Sequence, residues 1–307
     1  MFKIAVQTGD LDLMFGIDEA YRMIREAGFD AVDANVDHLF PYRDIVEKKI
    51  PEVFADTTSE KDLLAYFKPY ADASRKYGLD NYQAHAPFPS FHPREKDDEW
   101  NDFLLTVLKK TIMGCAVMDC HNLIIHPFFM DYDHMLPRDE EWKLNIDRYS
   151  ELAKVAARYD VVINLENMFV GRKGKMFAAI CNESHSAAAY VDTLNEMAGE
   201  KRFGFCLDTG HALLAGLEIR RLMNDLGPRI TCFHVHDNDG VSDCHQAPYT
   251  GKMDWDRFVL GLKDIGFNST LSFETFNAVR TTDRELIPAT LKYIAECGRL
   301  FDRRASS

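Results

Sequence analysis

Long apolar runs are missing from this chain: none approaches the roughly 18 residues that a membrane-spanning helix needs. Basic residues are scarce as well. Lys and Arg number 36 against 49 Asp and Glu, a formal net charge of −13. That balance opposes a phosphate-backbone partner, which is recognised mainly by Lys and Arg. Cysteine is sparse, with 7 residues and no CxxC spacing, so reduced thiols in a cytoplasmic compartment are expected. No Ser/Gly/Pro-rich linker or shift in composition divides the sequence. No GxGxxG follows the first β-rich run, which removes the main signal for a dinucleotide-binding open sheet. The opening MFKIAVQTGDLDLMF has one Lys followed by acidic residues and reads as a first strand rather than a signal peptide.

What is present is a globular composition: 307 residues, 46% hydrophobic and 28% charged. A chain of this length buries a substantial core unaided, in one or two domains. Short β-rich runs alternate with longer amphipathic stretches throughout. Helices are expected over residues 17–27, 59–77, 97–118, 140–159, 184–198, 218–226, 255–265 and 285–300. Several end in Gly, as at Gly28 and Gly78, the chemistry of a left-handed helix cap before a buried strand. The intervening runs, such as FKIAVQ, NLIIHP and VVINLEN, are mostly continuous apolar segments, as a parallel sheet covered by helices requires. Eight such units over this length predict a single (β/α)8 TIM barrel spanning residues 1–307.

In a barrel, functional groups project from the C-terminal strand ends. Strand three ends in His85, four in His126 and five in Glu166. Strand six ends in Asp208, followed by His211; strand seven in His234 and His236; strand eight in Glu274. Burying such groups without partners is costly, and a divalent metal supplies compensating charge. Of the HVH pair, His236, nearer the rim, is expected to face the site, with His234 structural. Asp237 and Asp239 are either further ligands or turn residues beside Gly240. His38, His92, His134 and His185 are expected on the surface. Phe128, Phe129 and Phe169 sit just past strand ends and are candidates for an apolar wall of the site. The basic run Arg172, Lys173 and Lys175 is a candidate grip on a phosphate or carboxylate.

Taken in order, the motifs HAP at His85, IIHP at His126, INLEN at Glu166, LDTGH from Asp208 to His211, HVHDND, DCHQAPYTGKMDW from Asp243 to Trp255 and SFET at Glu274 resemble the xylose isomerase-like barrel superfamily. That superfamily includes sugar phosphate isomerases and epimerases, ketose 3-epimerases, inosose-processing enzymes and family-two AP endonucleases. The resemblance implies one divalent metal, Mn²⁺ or else Zn²⁺, Co²⁺ or Mg²⁺, held by Glu166, Asp208, His236 and Glu274. It also implies that Glu166 and Glu274 act as the acid/base pair on opposite faces of a sugar, moving a proton through an enediolate. His211 is implied as a hydrogen-bond partner of a substrate oxygen.

Asp243 and His245, with His85 and His126, match residues that bind further zinc in the endonucleases. A multi-zinc phosphodiesterase is therefore one alternative, and a keto-sugar or inosose dehydratase or lyase another. The ketose 3-epimerases carry an Arg shortly after the strand-seven His; here that stretch reads DNDGVSD and has none. The expected partner is a small sugar, with neither nucleic acid nor membrane, in a homodimer or homotetramer as in many relatives.

Overall fold

A computed structural model describes residues 2–307. Eight strands form one parallel sheet: Lys3–Gln7, Ala31–Asn35, Asp80–His85, Asn122–Ile124, Val162–Glu166, Phe203–Asp208, Ile230–His234 and Thr270–Phe273. They are called strands one to eight below. Strands one to seven pair in chain order, and strand eight pairs with strand one. Closure comes just past strand seven, where the Val235 amide donates to Ser272 O at 2.9 Å and the Glu274 amide to Val235 O at 3.1 Å. The sheet is thus a TIM barrel, as the alternation predicted. No helix among the described residues is long and apolar enough to cross a membrane.

The helices begin and end on local chemistry. Ser59 caps the helix Glu60–Tyr77 by accepting the Asp62 amide, and Asp97 caps Asp98–Met118 by accepting that of Trp100. Gly28 and Gly78 take the left-handed conformation at helix ends. Two long helices instead stop at Asp119 and Asp160, both left-handed, because a short polar side chain tolerates that region. The main core lies between sheet and helices and includes the fully buried Phe67, Phe203, Phe233 and Phe258. Burying each such ring contributes about 1.5–3 kcal/mol. Gly114 lets the helices Glu60–Tyr77 and Asp98–Met118 meet closely, since a Cβ there would fall on the Phe67 ring. Inside the barrel, Tyr82, Ile124, Cys206 and Cys232 form a small second cluster.

Several elements depart from the sequence reading. A β-hairpin, Phe169–Arg172 with Lys175–Ala178, rises from the loop after strand five. Short helices at Gly9–Phe15, Tyr42–Val46, Thr209–Leu214 and Phe276–Arg280 were not anticipated. His92 is buried rather than on the surface, its Nδ1 accepting the Glu95 amide at 3.0 Å. All 7 thiols are unpaired.

Candidate active site and metal centre

The strand ends converge on a cavity of about 380 Å³ at the C-terminal mouth of the barrel. His85, His126, Glu166, His211, Asp243, His245 and Glu274 all reach it. Glu166 is fully buried at the end of strand five. Its Oε2 lies 3.1 Å from His126 Nε2, and its Oε1 lies 3.1 Å from His234 Nδ1. Glu274, from the opposite side of the barrel, lies 3.5 Å from the same His234 Nδ1 and 3.3 Å from His245 Nε2. Glu166, Asp208, His234 and Glu274 each offer a ligand atom, all within 4.8 Å of one another.

This arrangement corrects one expectation. The imidazole among the carboxylates is that of His234, not His236. Residues two apart on a strand share a face, so both histidines point inward and differ only in height. His236 sits a step nearer the rim, with Nε2 3.0 Å from Asp208 Oδ2. It joins His211, Asp243 and His245 in a second group of donor atoms, and its ring stacks on His245 at 4.2 Å. A third group is His85, Glu166 and His234. His85 Nε2 is 2.9 Å from His126 Nε2, so these two rings lie edge to face beside Glu166.

The loops explain why these side chains meet. Asp208 caps the helix Thr209–Leu214, its Oδ1 accepting the His211 amide at 2.6 Å. The Asn167 side chain clasps the Asp208 backbone, accepting its amide at 2.8 Å and donating to its carbonyl at 2.9 Å. The Asn167 carbonyl lies 2.8 Å from His211 Nδ1, which turns His211 Nε2 toward Asp243 at 3.4 Å. Asp237 is committed to the loop and stands outside the three donor groups. Its carboxylate accepts the Met253 amide at 2.9 Å and Trp255 Nε1 at 3.0 Å, while its backbone pairs with Gln246. That clamp folds the segment carrying Asp243 and His245 back over the mouth. Asp239 is a turn residue that accepts the Val241 and Ser242 amides.

Beneath the carboxylates lie groups the sequence reading missed. Gln7 donates to Glu274 Oε1 at 2.8 Å. Buried Asp33 accepts from Gln83 at 2.7 Å and Ser272 at 3.2 Å, and its Oδ2 is 3.2 Å from His234 Nε2. The run AVDANV contained the signal: a carboxylate inside an apolar strand needs partners.

Gly210 is required under His236, because a Cβ at that position would overlap the imidazole ring. Gly210→Ala is expected to lower stability by about 1–3 kcal/mol through overpacking. Thermal unfolding tests this, and an unchanged midpoint would show that the ring shifts freely.

The electrostatics follow from burial and crowding of opposite charges. Burial opposes protonation of His234, but neighbouring acidic groups, Glu274 and Glu166 among them, hold its pKa well above the ordinary imidazole value. His211 is raised in the same way by Asp208, Asp243 and Glu166. His236 is pushed up to about 9, its burial outweighed by Asp208, Asp243 and Glu274. Asp243 is drawn down to about 2: burial raises it, and His245, His211 and His236 overcome that. Glu166 and Glu274, although burial acts against their charge, are held well below the carboxylate range by the imidazoles. His126 goes the other way, lowered by burial.

These donors fit a divalent cation. Buried Glu166 Oε2 and Asp243 Oδ1 have no hydrogen-bond partner, and mixed carboxylate and imidazole donors suit Mn²⁺, Zn²⁺ or Co²⁺. Because raised imidazoles carry protons that a metal must displace, metal uptake is expected to release protons. Affinity should accordingly rise with pH and weaken as pH falls below the raised imidazole values. Titration in weakly buffered solution checks this, and uptake without proton release would contradict the imidazole assignment.

The sugar-contact candidates separate. Phe169 and Phe129 line the cavity. Phe128 does not: it is buried behind the loop against Tyr149 at 5.1 Å, since adjacent residues of an extended segment point opposite ways. Arg172 and Lys173 stand exposed at the hairpin tip, outside the lining, with Arg172 paired to Asp133 at 2.9 Å. Lys175 is also exposed.

A parallel barrel whose strand ends converge as carboxylates and imidazoles is a TIM barrel with a candidate metal site at its mouth. This chain belongs to the xylose isomerase-like TIM barrel family, whose model matches residues 21–297. It is 24% identical over 216 residues to inosose isomerase of Bacillus subtilis, covering 65% of this chain and 73% of that protein. Its fold is similar to that of an L-ribulose 3-epimerase, with a TM-score of 0.73 at 17% identity over 100% of this chain and 96% of the other. It is also similar to the IOLI protein with a bound zinc atom, with a TM-score of 0.63 at 18% identity over 99% and 98% of the two chains.

Proposed function

We propose that this protein is a divalent-metal-dependent isomerase or epimerase of keto-sugars. The observation that carries the reading is the convergence of Glu166 and Glu274 from strands five and eight on His234 Nδ1, at 3.1 and 3.5 Å. Glu166, Asp208, His234 and Glu274 would hold the cation, and the second donor group offers room for another. When bound, the cation supplies the positive charge that lowers the cost of an enediolate. Glu166 removes the proton on the carbon beside the carbonyl from one face, and Glu274 returns one from the other. His211, fixed by Asn167, donates to a substrate oxygen. Gln7 holds Glu274 in place during the exchange.

The test is incubation with a panel of ketoses and inososes in deuterated water, with Mn²⁺, Zn²⁺, Co²⁺ or Mg²⁺ supplied in turn. Deuterium is expected at the carbon next to the carbonyl, and chelation should abolish it. Lack of exchange with every metal would overturn the reading. Expulsion of a β-substituent from the same enediolate would make the enzyme a dehydratase or lyase, visible as an unsaturated product.

A multi-zinc phosphodiesterase draws on the same three donor groups, but no Lys or Arg lines the cavity among the described residues. The missing cations also favour an unphosphorylated sugar. A sugar phosphate is expected to bind at least about tenfold more weakly than the free sugar, since no Lys or Arg in the lining would pair a phosphate held away from the imidazoles on the floor. Competition assays measure this, and preference for the phosphate would contradict it. Cleavage of an abasic-site duplex, run in parallel, would favour the phosphodiesterase.

A further inference from the structure

The cavity is two-sided. Its floor is the polar set of strand ends, and its outer wall is a collar of Phe88, Phe129, Met130, Met168, Phe169 and Phe276. Three collar rings rise directly from the imidazoles: Phe88 lies 4.5 Å from His126, Phe169 lies 4.9 Å from His211, and Phe276 lies 4.2 Å from His245. All four collar phenylalanines are half-buried, with part of each ring left open. The rings come from the segments after three neighbouring strands, three, four and five, and after strand eight.

Further hydroxyl groups lying against these ring faces would leave water for apolar carbon, at a cost, since the polar groups of the outer lining are few: Asp37, Tyr42, Ser90 and Asp131. A charged group would fare worse, since the wall holds no Lys or Arg and its ionisable rim residues Asp37 and Asp131 are acidic. The cavity volume of about 380 Å³ falls in the range of sites that take drug-sized ligands, roughly 300–1,000 Å³. Resting on the keto-sugar reading above, we propose that the collar is a subsite for a flat, uncharged apolar substituent on the sugar. The substrate class is then a glycoside with an aromatic aglycone, its sugar on the floor and its aglycone between the rings.

The probes are phenyl and methyl β-D-glucopyranoside, titrated calorimetrically into the metal-loaded protein. The phenyl glycoside is expected to bind about tenfold or more tightly than the methyl one, in proportion to the extra apolar area removed from water. Phe129→Ala and Phe169→Ala should each bring that ratio toward one. Equal affinities, or no binding of either probe, would overturn the subsite. Deuterium exchange into a keto-sugar, followed in the same preparation, separates the two readings. Exchange with a ratio of one leaves the sugar chemistry and removes the subsite. A phenyl preference kept by the wild type and lost in the variants, without exchange, leaves the subsite and removes the sugar chemistry.

Discussion

Replacing Glu166 or Glu274 with Gln is expected to lower the rate of α-proton exchange by a factor of about 10²–10⁴ in each case, the usual contribution of a positioned general base or acid. Gln keeps the shape and removes the charge, so the barrel should remain folded. Both carboxylates are buried, and each is held charged by imidazoles: His126 and His234 for Glu166, His234 and His245 for Glu274. On the proposed reading, removing either takes away a proton-transfer group and a metal ligand together. Exchange rates in deuterated water, with circular dichroism to verify the fold, are the measurements. A variant at either position with full activity would refute the acid/base pair. Adding excess metal distinguishes the two losses, because a pure ligand defect recovers with metal concentration and a lost base does not.

The second large effect is expected at the histidines of strand seven. His234→Asn should weaken metal affinity by about a hundredfold or more, whereas His236→Asn should weaken binding at the carboxylate centre by less than about tenfold. His234 Nδ1 lies within 4.0 Å of Glu166, Asp208 and Glu274, and its other nitrogen lies against buried Asp33. A ligand oriented by a carboxylate behind it is the usual design of a histidine metal site, in which even the outer partner is worth 10–100-fold in affinity. His236 contacts only Asp208 of that set. Calorimetric titration with Mn²⁺ or Zn²⁺ decides the matter. The reverse order of effects would return the ligand role to His236.

The converging carboxylates of the candidate site were legible because Glu166, Asp208 and Glu274 each end an apolar run, where a charge has no cheap explanation. The HVH motif was legible as a donor element but misassigned. A period of two puts both rings on one face, and only their heights over the barrel floor separate them. Asp33 and Gln7 escaped notice because each reads as one polar residue in a strand, and their partners come from strands three, seven and eight. The hairpin Phe169–Ala178 was hidden by its basic tip, which resembles a solvated loop. The alternation FVGR and KMFA around Lys173-Gly174 was the available signal.

By itself, the sequence determined the eight strand–helix units, most helix boundaries and the chemical types at the strand ends. Those features rest on local physics: capping residues, hydrophobic period, and the cost of burying charge. Tertiary structure alone decided which imidazole meets the carboxylates, that Phe129 faces the cavity while Phe128 does not, and that among the described residues no Lys or Arg lines the site. These depend on how far each strand end rises and how each loop folds back across the barrel, distances set between residues far apart in the chain.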